Sequence, residues 1–261
     1  MARIKLARIQ SFALATTLLC CSAVGQASWA TPESDAFAHN KKGIELYKAG
    51  KVKEATEEVK KATSLDPKNA NYHRNLSSLY QAQNMMAEAQ KEAELATKSK
   101  PGDSKSLGNM ANTFLAQKKY VEAEKYYVQA MKAAPNNTEF RVDRAVCLMH
   151  LKKTAEFDKE IKDILKKEPN NVRALTLLSN NYLEQKKTED AEKTARTALK
   201  VAAKDPDTHL QLAKVLQARG KDKEAISEYK QVLTLKPDHP SAAEIKKSME
   251  YIDSKVDSRI P

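Results

Sequence analysis

Residues 104–137 read SKSLGNMANTFLAQKKYVEAEKYYVQAMKAAPNN. Leu107, Met110, Ala111 and Phe114 recur at helical intervals, Lys118-Lys119 interrupts, and Ala123, Tyr126, Tyr127, Ala130 and Met131 resume the pattern. Apolar residues spaced in this way share one face of a helix, so the stretch predicts two amphipathic helices joined by a short polar turn. Pro135 with Asn136-Asn137 ends the second helix, because proline cannot donate to the ladder and Asn tolerates turn geometry.

The same design recurs along the chain. Pro67, Pro101, Pro135 and Pro169 are 34 residues apart, and Pro237 lies five such intervals after Pro67. Ala55, Ala89, Ala123, Ala191 and Ala225 keep this register, with Phe157 at the remaining place. A second column is small throughout (Gly43, Ser77, Ala111, Ala145, Ser179, Ala213), and a third is large and apolar (Leu46, Tyr80, Phe114, Leu148, Tyr182, Leu216). Small residues facing large ones predict paired helices in close approach. A fixed period of this length is the mark of a repeat architecture, and the fold class is all-α.

These residues resemble the tetratricopeptide repeat, a helix-turn-helix unit of 34 residues. The resemblance covers units 36–69, 70–103, 104–137, 138–171, 172–205 and 206–239, and the first is the fullest, with Gly43, Leu46-Tyr47, Gly50, Glu54-Ala55, Ala62 and Leu65-Asp66-Pro67. It implies a right-handed α-solenoid whose first helices line a concave groove. Residues 31–35 are expected as a short linker. A terminal unit exposes an apolar face, and Ser241 to Ile252 carries Ala242, Ala243, Ile245, Met249 and Ile252 on one side as a capping helix, with 253–261 as a frayed tail. The pattern departs in two places. Ala203 replaces a terminal proline, and the fourth unit holds Arg144 where others have Leu76, Met110, Leu178 and Leu212, and Phe157 where others have Ala. The larger ring should push its helix pair apart or force repacking, which predicts a local change around residues 144–164.

The N-terminus reads as an address. Arg3, Lys5 and Arg8 precede an apolar run from Phe12 to Val24 and small-residue exits at Ala27 and Ala30, the layout of a secretory signal peptide over residues 1–30. Thr16, Thr17 and Ser22 break the run, which is shorter than the roughly 18 residues of a spanning helix. The residues before Cys20 and Cys21 are not those of a lipoprotein signal. Cleavage leaves Cys147 alone, between Val146 and Leu148, so no disulfide framework forms and a buried, inert thiol is expected. Export predicts a periplasmic or extracellular protein without a membrane span.

Composition narrows the function. Six glycines in 261 residues argue against a Gly-rich phosphate loop, and no GxxxxGK[ST], GxGxxG or GxSxG occurs. The histidines His39, His73, His150, His209 and His239 lack metal-ligand spacing and are read as mostly scattered among repeat columns. Acidic pairs such as Glu57-Glu58 lie on charged helix faces. Repeats and cap leave no room for a catalytic domain, so no enzyme activity, metal or cofactor is expected. The net charge of +11 is spread along the chain, with no unit above +3 and no aromatic interleaving, which favours a solubilising surface over a nucleic-acid stripe.

Protein or peptide binding remains. The family geometry places Asn40, Arg74, Asn75, Ser78, Lys105, Asn109, Asn112, Asp143, Arg173, Thr176 and Asn180 on the concave wall. Asn offers both donor and acceptor to an extended peptide backbone, and Asn75 and Asn109 share the position where some family members use an asparagine ladder. Solvated groove residues would look the same. The family's carboxylate clamp is matched by Asn75 and Lys105 but not by Asn40, Ile44 or Asn109, so that role is rejected. The sequence therefore points to an exported scaffold holding a protein or peptide in its groove. The alternatives are an envelope assembly or secretion component binding through its convex face or end caps and, from another class, an enzyme or cofactor carrier.

Overall fold

The computed structural model describes residues 31–257, so the leader read at residues 1–30 lies outside the described residues. The described residues form thirteen helices and no strand: α1 (Pro32–Lys48), α2 (Val52–Leu65), α3 (Ala70–Ala82), α4 (Met86–Ser99), α5 (Ser104–Ala116), α6 (Tyr120–Ala133), α7 (Thr138–His150), α8 (Thr154–Lys167), α9 (Val172–Glu184), α10 (Thr188–Val201), α11 (Pro206–Ala218), α12 (Asp222–Leu235) and α13 (Ala242–Asp257). From α4 onward each helix up to α12 begins 34 residues after its counterpart in the preceding pair. The expected linker is helical from Pro32, because Thr31 accepts the Ser34 N–H at 3.2 Å and the proline occupies the first turn. Residues 253–257 likewise continue α13 rather than fraying.

Two kinds of junction alternate. Helices α3, α5, α7, α9 and α11 are capped by Asn69, Asp103, Asn137, Asn171 and Asp205, each in extended conformation and each accepting a first-turn N–H. Within a pair the chain instead turns through one left-handed residue, namely Gly50, Asn84, Lys118, Lys152, Lys186 and Gly220. The Lys51 N–H then reaches back to the Leu46 carbonyl at 2.9 Å, and Lys119 to Phe114 at 2.9 Å, closing the first helix in a Schellman pattern. Ala203 causes no departure from this scheme. Its turn carries the same backbone angles at Ala202 as the proline-bearing turns carry at their equivalents, and Pro206 opens α11.

The small columns are where helices touch. Ala55, Ala89, Ala111, Ala123, Ala145, Ala191, Ala213 and Ala225 are fully buried. Each successive pair packs on the next, and α13 covers the last through Ile245 and Ile252, which join Leu212, Leu216 and Tyr229 in one cluster. Odd-numbered helices also touch across pairs (α3 with α5, α7 with α9, α9 with α11), whereas no two even-numbered helices come comparably close. The stack is therefore shorter on its odd-numbered side and concave there. At α1, the face that α3 fills with Tyr72, Leu76 and Leu79 holds Ala38, Lys42 and Glu45, so this end of the stack is polar.

The fourth pair is the least closely packed of the pairs, and α8 barely reaches α9. Phe157 and Ile164 are buried in the α7–α8 interface, where the equivalent positions of the first three pairs are Ala55 and Ala62, Ala89 and Ala96, and Ala123 and Ala130. The ring and the branched chain take more room than the alanines they replace, and a cleft of about 170 Å³ opens beside Phe157, Leu148 and Asn181. Arg144 is held at its apolar-column position by carboxylates from both sides, Glu124 at 3.2 Å, Glu156 at 3.0 Å and Glu160 at 2.7 Å.

Candidate functional site

The concave wall changes character along its length. At the N-terminal end α1 presents Phe37, Ile44 and Tyr47, which are 61%, 38% and 50% exposed. Their spacing puts them on one helical face, and that face looks into the groove rather than into a neighbouring pair. Between α1 and α3, which are not in close contact, lies a cleft of about 270 Å³ lined by Gly43, Ile44, Tyr47, Val59 and Leu79, with Asn75 and Ser78 at its rim. Gly43 makes this possible: a Cβ there would lie 2.4 Å from Val59 Cγ2, so only glycine lets Val59 of α2 reach the floor.

Polar side chains take over from α3. Asn75 donates to Asn40 Oδ1 at 2.8 Å, and Asn109 donates to Ser78 Oγ at 3.2 Å, so the wall's amides and hydroxyls brace neighbouring helices. Asn109 is buried and its Oδ1 has no donor, whereas Asn75 is half-buried and keeps an oxygen and an N–H to offer. Asn112 is exposed and accepts the Tyr127 hydroxyl at 2.5 Å. Arg74 stands 3.7 Å from Asp103, and Lys105 is exposed. Further along, the Arg173 guanidinium bridges Glu139 and Asp143, the latter at 2.5 Å. Burial pushes the Asp143 carboxyl upward and Arg173 only partly offsets this, while Asp143 and Glu139 hold the guanidinium charged. Thr176 and Asn180 follow, half-buried, on the next helix of the wall.

The structure thus brings the expected residues into two groups, Asn40, Arg74, Asn75, Ser78, Lys105, Asn109 and Asn112 on α1, α3 and α5, and Asp143, Arg173, Thr176 and Asn180 on α7 and α9. Sequence reasoning missed the apolar end. Its signal was present: Phe37, Ile44 and Tyr47 stand where α3 has Asn71, Ser78 and Gln81.

The histidines need correction. His39, His73 and His209 share one repeat position, and each Nδ1 pairs with a glutamate nineteen residues later: Glu58 at 2.7 Å, Glu92 at 2.6 Å and Glu228 at 2.6 Å. Arg141 makes the equivalent bond to Glu160 in the fourth pair. The Nε2 of His73 faces the Pro67 carbonyl at 2.9 Å, and that of His209 faces the Ala203 carbonyl at 3.0 Å. For His73 both partners accept, so a ring donating from both nitrogens satisfies them. For His73 the Glu92 bond, opposed by burial and reinforced by the Pro67 carbonyl, raises the pKa. His73 and His209 thereby tie the turns at Pro67 and Ala203 to the helices that follow them. Among the described residues no cluster of three or more His, Cys, Asp or Glu could hold a metal, and no helix is long and apolar enough to cross a membrane.

No curated protein sequence matches this chain significantly. Among solved structures, the PilF protein of Pseudomonas aeruginosa superposes with a TM-score of 0.65 at 16% identity, over 86% of this chain and 99% of its own. PilW, a widely conserved type IV pilus biogenesis factor, gives 0.69 at 17%, over 83% and 97%. A tetratricopeptide repeat protein from Parabacteroides merdae gives 0.63 at 16%, over 87% and 94%. At such identities the likeness is one of fold. The tetratricopeptide repeat profile matches residues 114–180 and 182–248, half of the chain, and with the all-helical paired architecture this places the protein in the tetratricopeptide repeat family.

Proposed function

We propose that the protein is an exported scaffold of six tetratricopeptide units that holds a protein or peptide segment against its concave wall. The observation that carries this reading is the cleft between α1 and α3, an open apolar recess beside half-buried Asn75 in a wall of stacked helices. A wall set by helix packing loses little conformational freedom when a flexible partner docks, so most of the contact energy is kept as affinity. Asn75, Lys105, Thr176 and Asn180 would supply polar contacts. Residues 1–30 would direct export and be removed, leaving the scaffold in the cell envelope or outside the cell. PilF and PilW, whose fold this chain shares, include a pilus biogenesis factor, which agrees with an envelope setting.

A photo-crosslinking amino acid placed at Asn75 and at Asn180 in the native compartment tests the groove, with N-terminal sequencing of the purified protein for export. Capture of one discrete partner from these positions, and none from Glu57 on the exposed back of α2, is expected. Crosslinks confined to the back would refute the groove. A chain retaining Met1 would refute export.

A further inference from the structure

Lysines without an ionic partner gather at the N-terminal end of the groove. On the groove-facing positions of α1, α3 and α5 the one carboxylate among the described residues is Glu33, in the first turn of α1, and Lys41, Lys48 and Lys105 have no ionic partner among the described residues. On α7, α9 and α11 the same positions hold Glu139, Asp143, Glu184 and Asp207 together with Arg173 and Lys214, so that half of the wall is mixed in charge. The apolar cleft sits inside the cationic half. A recess of about 270 Å³ takes a large side chain, given that an apolar cavity of about 150 Å³ accepts benzene. Ile44 stands where the family's carboxylate clamp would have Asn, so the recess is built to take hydrocarbon and not a terminal carboxylate.

From this juxtaposition we propose that the N-terminal half of the groove recognises an internal acidic segment through one large aliphatic or aromatic side chain, seated between Ile44, Tyr47 and Leu79. The inference rests on the groove reading and specifies its ligand. The exposed lysines steer and hold the acidic flanks, so affinity falls with salt, while the buried side chain supplies the contact that ionic strength does not screen. The chain's own leader is a poor occupant, because Arg3, Lys5 and Arg8 would be brought against the same lysines.

The test uses the chain from residue 31 to 261 and fluorescein-labelled, C-terminally amidated nine-residue peptides of Glu, Asp and Ser around one central Leu, Phe or Ala, read by anisotropy. The Leu and Phe peptides are expected to bind about tenfold or more tighter than the Ala peptide, as burying one large apolar side chain implies. The double variant Ile44→Ser/Tyr47→Ser should remove that preference, and Lys105→Glu should weaken binding and reduce its salt dependence. Both cleft residues are exposed, so helicity should be unchanged. Equal binding of Leu and Ala peptides, a requirement for a free C-terminal carboxylate, or undiminished affinity of the cleft variant would each overturn the proposal. Thr176→Ala/Asn180→Ala separates it from the broader reading: if this distant pair weakens binding and the cleft pair does not, the groove binds and the cleft does not anchor. Self-association abolished by the cleft substitutions would assign the recess to a second copy instead and overturn the acidic-segment assignment.

Discussion

Replacing Phe157 by Ala tests the packing argument most sharply, because Ala is what the first three pairs carry at that place. The ring is fully buried among Val142, Leu148, Ile161 and Ile164. A buried Phe→Ala change costs about 3–5 kcal/mol when the surroundings hold still, and less when they collapse. Collapse here would mean α7 and α8 closing to the spacing of the other pairs. Ile164, two turns further along α8, still props them apart, so the cavity should persist and the cost should reach at least about 3 kcal/mol. Adding Ile164→Ala removes the second prop and permits closure, so the double variant should cost about 1–2 kcal/mol less than the sum of the singles. Urea unfolding by circular dichroism gives the total. Hydrogen exchange should show the loss concentrated in α7–α9, since each pair touches only its neighbours. A single-variant cost below about 1 kcal/mol, or strict additivity in the double, would refute the wedge.

Other consequences can be checked separately. His73 has a raised folded pKa, so its contribution is present below about pH 6.5, the unfolded value, and is lost as pH rises through the folded one; the urea midpoint should fall over that interval, and His73→Gln should flatten it. Glu192 behaves oppositely: burial would raise its pKa, but Lys221, Arg196 and Arg219 hold it at about 2, so its stabilisation is complete above pH 4.5 and is lost as pH falls towards 2. Glu192→Gln should cost about 1–3 kcal/mol at neutral pH and blunt acid unfolding in that window. Cys147, fully buried with its thiol pushed up to about 12, should resist iodoacetamide until denaturant opens the stack. Lys118→Gly and Lys152→Gly should each raise stability by about 0.5–1 kcal/mol, measured by urea midpoint, because both lysines sit at positive φ.

Much of the fold was legible before any coordinates. Helix starts follow the asparagine and aspartate caps, and pair spacing follows the prolines, because both are local effects of backbone chemistry. The Phe157 substitution signalled a disturbed pair, but Ile164 in the neighbouring small column went unread, and it is the two together that hold α7 and α8 apart. The histidines were also legible and misjudged. His39, His73 and His209 share one register, and their glutamates lie at a constant separation, yet only the paired helices show that this separation is a contact.

For the candidate site the division is different. The family resemblance implied an inner-wall place for Asn75, Asn109, Lys105 and Arg173, but not what they touch: Asn40, Ser78 and Asp143 take hydrogen bonds from Asn75, Asn109 and Arg173. By itself the sequence determined the all-helical repeat, its period and its family, since these depend on spacing and on residues interacting within a turn or two. Only the tertiary structure decided where the wall is open, because the cleft is formed by Ile44, Val59 and Leu79 from three helices, and the gap between α1 and α3 that exposes it is a property of their packing, which no local pattern encodes.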